Sequence, residues 1–226
     1  MNYPGKELEI FDKATIWRKY IYLLVKNFLK EKILEVGAGI GSFTKNYYGN
    51  FSDITLTELD QNNISKLKEK FKNTKIKIIS DYTSKLNSKF NTILYMNVLE
   101  HIKKDTEEIN QALEKLNTDG HLIILVPAHN ELYTKFDKEI GHFRRYKIEF
   151  FENLNINNNK IIKLQYVDCF GYFLYFINKI FFKDEVYPSK LKIFIWDKIF
   201  TPFTILLDRI LFFKYGKNVL CIIRKK

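Results

Sequence analysis

A chain of 226 residues has room for one sizeable α/β domain, and its 46% hydrophobic content is ordinary for a globular protein, although 16% aromatic is high. The formal net charge of +11 raises nucleic acid, an anionic membrane surface or an anionic substrate as partner, and residues 160–226, with 13 Lys/Arg against 5 Asp/Glu, carry +8 of it. Cys169 and Cys221 share no metal-like spacing and fit a reducing compartment, the stretch MNYPGKELEIF lacks the pattern of a signal peptide, and no charge-free run of about 18 apolar residues is present to span a membrane, so a cytoplasmic protein is expected.

In chain order, residues 7–29 read as one helix, because Phe11, Ile21, Leu24 and Phe28 fall near helical spacing and no Gly or Pro interrupts. KILEVGAG is a short buried strand ending in glycine. DITLTELD (53–60) is a second strand, ISKLKEKFK (64–72) a helix, KIKIIS (75–80) a third strand and NTILYMNV (91–98) a fourth, followed by a polar helix through Leu116. TDG is a turn and HLIILVP (121–127) a fifth strand. KIIKLQYVD (160–168) and KNVLCIIRK (217–225) are two more, expected to pair as an antiparallel hairpin on the sheet edge. Between them lies a long aromatic segment, 170–215. In it Ser189 caps a helix over Lys190 to Phe200, and Thr201-Pro202 opens a second helix to about Phe213 as N-cap and first helical position.

Strands alternating with helices predict an α/β fold: a doubly wound, Rossmann-like, mostly parallel seven-stranded sheet with an antiparallel last strand and a helical aromatic insertion before it. One domain over 1–226 is expected, with 1–30 as an N-terminal helical cap and 170–215 as the insertion. Ligands of such sheets bind beyond the carboxyl ends of the strands.

ILEVGAGIGSFT (33–44) places Gly37, Gly39 and Gly41 directly after the first strand. Strand, glycines and then a helix is a geometry for a nucleotide-like ligand, because glycine turns sharply and lets the ligand approach without a Cβ in the way. Glu58, at the end of the second strand, can accept both hydroxyls of a ribose. Asp81, ending the third, can accept from an adenine amine, with Tyr82 packing on the ring. Glu35 adds an acid where a cationic amino group can sit. No lysine follows the glycines, which argues against a phosphate loop, and an adenosine bearing an amino acid fits this acid-rich set better than a pyrophosphate.

The order Glu35-x-Gly37-x-Gly39-x-Gly41, then Glu58, Asp81 and NVLEHI (97–102), resembles a class I S-adenosylmethionine-dependent methyltransferase over roughly residues 15–168. VPAHNELYTKFDKEIGHFRRY (126–146) is similar to a bacterial subfamily with a VPAH…GH-RRY block. The resemblance implies S-adenosyl-L-methionine as cofactor. Glu35, Gly37, Ala38, Gly39 and Gly41 would lie by its methionine part, Glu58 and Leu59 by the ribose, Asp81 and Tyr82 by the adenine, and Asn97 and Val98 at the end of the fourth strand. Asn91 departs from the aspartate usual at the start of that strand.

Methyl transfer from a sulfonium is an in-line displacement, so the enzyme aligns the acceptor and removes its proton where needed. His129 and His142 are candidate bases, and Tyr146 adds a hydroxyl. His101 either braces the cofactor loop or takes part in the chemistry; His121, at a strand start, reads as structural. Arg144 and Arg145 can face an anionic acceptor through their planar forks, the alternative being an ion pair with Asp137 or Glu139. Trp17 and Tyr20 either close over the site as lid residues that touch substrate or pack a helix on the sheet. The histidines show no metal-ligand spacing, and no metal is expected.

FGYFLYFINKIFFK (170–183) is apolar nearly all round. In the following helices Asp197, Thr201, Thr204 and Asp208 form a narrow polar stripe, leaving an apolar surface too wide for a helix merely resting on a sheet. Three uses compete: a lid over the acceptor, a homodimer interface, and contact with an anionic membrane through Lys179, Lys183, Lys190, Lys192 and Lys198. The expected function is methyl transfer to oxygen or nitrogen of a small or lipid-linked, anionic acceptor, in the cytoplasm or peripheral to the inner face of the membrane. The alternatives are a nucleic-acid or protein methyltransferase, or a non-catalytic membrane-surface module. Adenine-modifying enzymes of this fold resemble one another in an NPPY-like motif after the fourth strand, where this chain has NVLE, which argues against nucleic acid.

Overall fold

The computed structural model describes residues 6–157, 159–181 and 187–226, with the side chains of Lys6 and 178–181 left aside. Lys183 therefore lies outside the described residues. Seven strands form one sheet: β1 (Ile33–Val36), β2 (Ile54–Thr57), β3 (Lys77–Ile79), β4 (Phe90–Met96), β5 (Leu116–Pro127), β6 (Lys160–Val167) and β7 (Asn218–Arg224), in the order β3-β2-β1-β4-β5-β7-β6. β1 to β5 are mutually parallel. β7 runs antiparallel to both β5 and β6, and so lies between them. The helices are α1 (Lys6–Phe11), α2 (Thr15–Val25), α3 (Gln61–Lys70), α4 (Asp105–Glu114), α5 (Lys135–Glu139), α6 (Ile148–Glu152), α7 (Cys169–Phe181), α8 (Lys190–Ile195) and α9 (Thr201–Ile210). The alternating α/β order and the antiparallel pair at the edge are as the sequence predicts.

The sheet is apolar on both faces, as a strand layer sandwiched by helices must be. One face packs Leu34, Ile93, Tyr95, Leu122 and Ile124 against Leu99, Ile109 and Leu113. The other packs Ile33, Ile54, Leu94, Ile123 and Ile222 against Tyr20, Ile21 and Val25 of α2. Among the described residues no helix is long and apolar enough to cross a membrane.

Several boundaries differ from expectation. The single N-terminal helix is two, broken at residues 12–14. There Arg18 turns back to donate to the Phe11 and Asp12 carbonyls, and Ala14 is buried against Ile193 and Trp196. After the glycines there is no α-helix but two 3-10 turns, Thr44–Asn46 and Tyr48–Asn50, because Thr44 and Tyr47 point inward to Glu35. The TDG turn is drawn into β5, with Asp119 left-handed at φ +60.

Thr201-Pro202 does not open a new helix. The chain is helical from Lys190 to Ile210 through a π-helical turn, Trp196–Phe200. The Thr201 N–H and Oγ1 both donate to the Trp196 carbonyl, and this widened turn accommodates the proline. Ser189 does cap it, accepting from the Lys192 N–H at 3.2 Å.

The polar stripe of this helix faces inward. Asp197, Thr201, Thr204 and Asp208 are each 0% exposed. Asp197 accepts the Ile16 and Trp17 N–H groups, capping the N-terminal turn of α2 from a distance. Asp208 accepts the Tyr20 hydroxyl and the Asp168 and Cys169 N–H groups. Outward lie Leu191, Phe194, Ile199, Phe203, Leu206 and Ile210, all about half exposed or more. The helix thus turns its polar stripe, with Ile193 and Trp196 beside it, toward the protein and a broad apolar face toward solvent.

Candidate functional site

The first half of the site is the turn after β1. Gly37, Gly39 and Gly41 all have positive φ (+60, +56 and +71), the left-handed region that disfavours a Cβ. A Cβ on Gly37 would lie 3.0 Å from the Val98 methyls, and one on Gly41 would lie 2.5 Å from the Phe71 ring. The glycines are therefore fixed by backbone shape and by close neighbours together. Glu58, just past β2, closes the loop: its Oε2 accepts the Gly39 N–H at 2.7 Å, and its Oε1 accepts the Leu59 and Asp60 N–H groups.

Beyond the strand ends, Leu59 and Tyr82 are 49% and 58% exposed, two large apolar side chains left uncovered where a flat ring can be gripped. Asp81 accepts the Tyr82 N–H at 2.8 Å and pairs with Lys85 at 3.7 Å. Asn97 is exposed and left-handed at φ +56, its N–H held by the Leu125 carbonyl.

The loop is covered from within the expected N-terminal cap, but by α1 rather than by Trp17 and Tyr20. α1 lies across it, with Leu8 nearest the position a Gly39 Cβ would take, at 3.3 Å. Next to Leu8 in the chain, Glu7 is 4% exposed, and no other described residue donates a hydrogen bond to its carboxylate. A buried acid without a donor suits a cationic group. The only signal in the sequence was an acid at the start of an otherwise apolar helical face.

Glu35 sits beneath the loop rather than in it. It is 2% exposed and accepts from Thr44 Oγ1 at 2.7 Å and from the Tyr47 hydroxyl at 2.5 Å. Burial pushes its carboxyl up to about 7, against the two hydrogen bonds. Because the folded pKa lies above the ordinary 4.5, this group favours the folded state below pH 4.5, and that contribution is lost as pH rises through about 7. Glu35→Gln is expected to flatten the stability–pH profile of ligand-free protein between those values, by on the order of 3 kcal/mol at neutral pH. Urea denaturation at a series of pH values measures it; parallel wild-type and variant profiles would contradict the assignment.

The second half of the site lies across the end of β4. Glu100 and His101, in a 3-10 turn (Leu99–His101), meet His142, which follows α5. The Phe143 N–H donates to the Glu100 carbonyl at 2.8 Å and ties the two segments together. The His101 and His142 rings are 4.6 Å apart, edge to face. His142 Nδ1 is 2.8 Å from Asp137 Oδ1, and its Nε2 is 3.7 Å from Glu100 Oε1. Glu100 is 0% exposed, and no other described residue donates a hydrogen bond to its carboxylate. Burial pushes that carboxyl up to about 7. Burial, with His142 alongside, pushes His101 down to about 3, so its imidazole is neutral. Burial would raise Asp137, but His142 and Arg145 hold it well below the usual carboxylate range.

Of the candidate site residues, His142 and His101 belong to this cluster directly. His129 is elsewhere: its Nε2 meets the Gly216 carbonyl at 3.0 Å, its Nδ1 lies 3.4 Å from Glu131, and its ring stacks on Tyr166. That is a braced loop residue, not a base facing the glycine loop. Tyr146 is 2% exposed and donates to Asp105 and to the Leu99 carbonyl, so its hydroxyl is a packing group.

Arg145 is buried and forks onto Asp137 (2.9 and 3.0 Å) over the Tyr175 ring, and Arg144 bonds Asp105 at 2.6 Å. Both take the ion-pair alternative rather than facing an acceptor. Tyr20 is 2% exposed on Asp208, and the Trp17 ring packs on Trp196 at 5.7 Å. They join α2 to the insertion, and the covering role expected of them falls to α1. The His121 Nδ1–H donates to the Phe28 carbonyl at 2.8 Å, in keeping with the structural part expected of it. Sequence reading missed Glu7 and Glu100, and gave Asp137 only as an ion-pair partner for the arginines, the part it does play toward Arg145.

Residues 10–159 match the family model described as a methyltransferase domain. Among solved structures the chain is similar to an S-adenosylmethionine-dependent methyltransferase from Clostridium acetobutylicum, with 16% identity over 99% of each chain and a TM-score of 0.60. It is similar also to the N-methyltransferase NodS from Bradyrhizobium japonicum in complex with S-adenosyl-L-homocysteine, with 12% identity over 99% of this chain and 89% of that one and a TM-score of 0.58. The plantazolicin methyltransferase BpumL, in complex with the same ligand, shares 15% identity over 100% of this chain and 88% of its own, with a TM-score of 0.56. At these identities the likeness is one of fold. No curated protein matches.

Proposed function

This chain belongs to the methyltransferase-domain family, and from that premise we propose that its glycine loop holds S-adenosylmethionine while the Glu100–His101–His142 cluster receives a small acceptor with a hydroxyl or amine. It is a class I, S-adenosylmethionine-dependent methyltransferase. The bound cofactor supplies an electrophilic methyl on a sulfonium, with a neutral thioether as leaving group. The chain's own groups fit it. Left-handed glycines bring backbone close without a Cβ, Glu58 stands at the ribose position, Leu59 and Tyr82 flank the ring position beside Asp81, and the orphaned Glu7 answers a positive charge.

The observation that carries the reading is a pair of buried acids, Glu7 on α1 and Glu100 at the end of β4, to whose carboxylates no other described residue donates a hydrogen bond. A cationic electrophile on one side and a proton-bearing nucleophile on the other would each supply what these acids lack. His142, oriented through Asp137, and Glu100 align the acceptor and take its proton, worth roughly 10²–10⁴-fold in rate. The anionic acceptor expected from sequence is not part of this reading, because Arg144 and Arg145 are paired internally. Purified enzyme, methyl-labelled S-adenosylmethionine and fractionated cell extract test it. Label in the small-molecule fraction is expected; label confined to RNA or protein would overturn the acceptor class.

A lipid-linked acceptor is a second reading, favoured by the outward apolar face of residues 190–210. Exposed Lys190, Arg209 and Lys214 flank Phe194, Phe203, Leu206 and Ile210, the composition that rests on an anionic bilayer. Co-sedimentation with phosphatidylglycerol vesicles at low salt is expected, weaker with phosphatidylcholine, and weakened again by the double variant Phe203→Asp, Leu206→Asp. Equal recovery with and without vesicles would remove this reading.

A further inference from the structure

We propose that Glu100, His101 and His142 form a binding site for a divalent transition-metal cation of the zinc type. The carboxylate of Glu100 and one ring nitrogen from each histidine lie within 4.8 Å of one another. Two imidazoles and a carboxylate make an N₂O donor set, which leaves positions open to an oxygen or nitrogen ligand.

Three observations beyond proximity support the site. First, Glu100 is fully buried, with neither oxygen accepting a hydrogen bond from another described residue. A buried carboxylate needs a partner, and a dication is the strongest available. Second, His142 is already oriented as a ligand. Its Nδ1 donates to Asp137, which turns Nε2 toward Glu100, and Arg145 fixes Asp137 in turn from both its oxygens. This carboxylate–histidine arrangement behind a ligand nitrogen sets the tautomer and raises its basicity. Third, the His101 and His142 rings stand edge to face 4.6 Å apart, and the Phe143 N–H donates to the Glu100 carbonyl at 2.8 Å, so the segment bearing two of the ligands is fixed against the one bearing the third.

Spacing along the sequence hides the site, because its ligands come from adjacent positions after β4 and a single position after α5. The inference deepens the acceptor-side reading and rests on it for its catalytic use: with the cation bound, Glu100 and His142 would serve as its ligands rather than as bases, and a hydroxyl or amine held at an open position would lose its proton more readily. Binding itself is measured without any acceptor, so the two can fail separately.

The experiment uses tag-free full-length protein stripped by a chelator and then titrated with Zn²⁺, Mn²⁺ and Co²⁺. Stoichiometric Zn²⁺ binding by calorimetry and elemental analysis is expected, with a visible Co²⁺ absorption band of low-symmetry N/O coordination. Glu100→Gln and His142→Ala should abolish both, whereas His129→Ala should leave both intact. Glu100→Gln keeps the shape of the side chain and breaks no hydrogen bond from another described residue, so its fold is expected to survive, and retained binding of S-adenosyl-L-homocysteine checks that. Should His142→Ala not fold, broadening of the His142 ring signals by Co²⁺ in the wild type replaces it. Substoichiometric uptake, or uptake indifferent to Glu100→Gln, would overturn the site. So would a His142 ring protonated on both nitrogens and unmoved by Co²⁺, bridging Asp137 and Glu100 as a cation itself.

Discussion

Glu58→Ala is expected to weaken binding of S-adenosyl-L-homocysteine by roughly 100-fold or more while leaving the protein folded. Charge-assisted hydrogen bonds are worth about 1.5–3 kcal/mol each, and a ribose diol presents two to one carboxylate. The substitution also frees the Gly39 N–H, now held at 2.7 Å, so the glycine loop loses its tie to β2. Both effects act in the same direction on affinity. Only the second acts on the ligand-free protein, where the Leu59 and Asp60 N–H groups are released as well, and there it is moderate because Glu58 is only partly buried. Calorimetry with S-adenosyl-L-homocysteine separates them when paired with melting curves. A change in Kd under about tenfold, with normal melting, would place the ribose elsewhere.

Asp208→Ala should be among the most destabilising single changes in the chain. It strands three buried donors: the Tyr20 hydroxyl at 2.7 Å from Oδ2, the Asp168 N–H at 2.8 Å and the Cys169 N–H at 2.9 Å. Each unsatisfied buried donor costs about 1–3 kcal/mol, so a loss of about 3–5 kcal/mol is expected, or roughly 10 °C in Tm for a chain of this size. The contrast with the outer face makes the test specific. Phe203→Ser, on a side chain 56% exposed, should change Tm by little. An ordinary surface helix would give the reverse ranking, with the aromatic change the costly one. That reversed result would show that the helix buries its apolar face in solution.

The same helix shows how far the sequence could be read. The spacing of Asp197, Thr201, Thr204 and Asp208 revealed a narrow polar stripe, but spacing carries no sign. It could not say that the stripe points inward, because that depends on partners such as Tyr20 and the Ile16 and Trp17 N–H groups, remote in sequence. The strands, by contrast, were legible in number and place along the chain, to within a few residues at most ends, because short, largely apolar runs bounded by turn residues are local signals; β5 begins earlier than expected, at Leu116. The glycine turn and Glu58 were legible because strand ends and backbone shape are local properties. The acceptor side was not. Arg144 and Arg145 look like anion receptors in a string, and only three-dimensional placement shows them paired with Asp105 and Asp137. Glu100 lay inside a quoted motif, and nothing local distinguished it from a solvated acid.

The position of β7 bears on how the molecule is made. Residues 218–224 slot between β5 and β6, with six of the seven buried. During synthesis the parallel half, β3-β2-β1-β4-β5, is complete before α7 emerges from the ribosome, yet its β5 edge stays open across the whole 169–210 stretch. For that interval two apolar strand edges and an outward-facing aromatic helix are exposed together, and closure waits on a long-range antiparallel pairing. Nascent chains stalled before residue 218 are therefore expected to bind chaperones strongly, and release should coincide with the appearance of β7 rather than with that of the glycine loop.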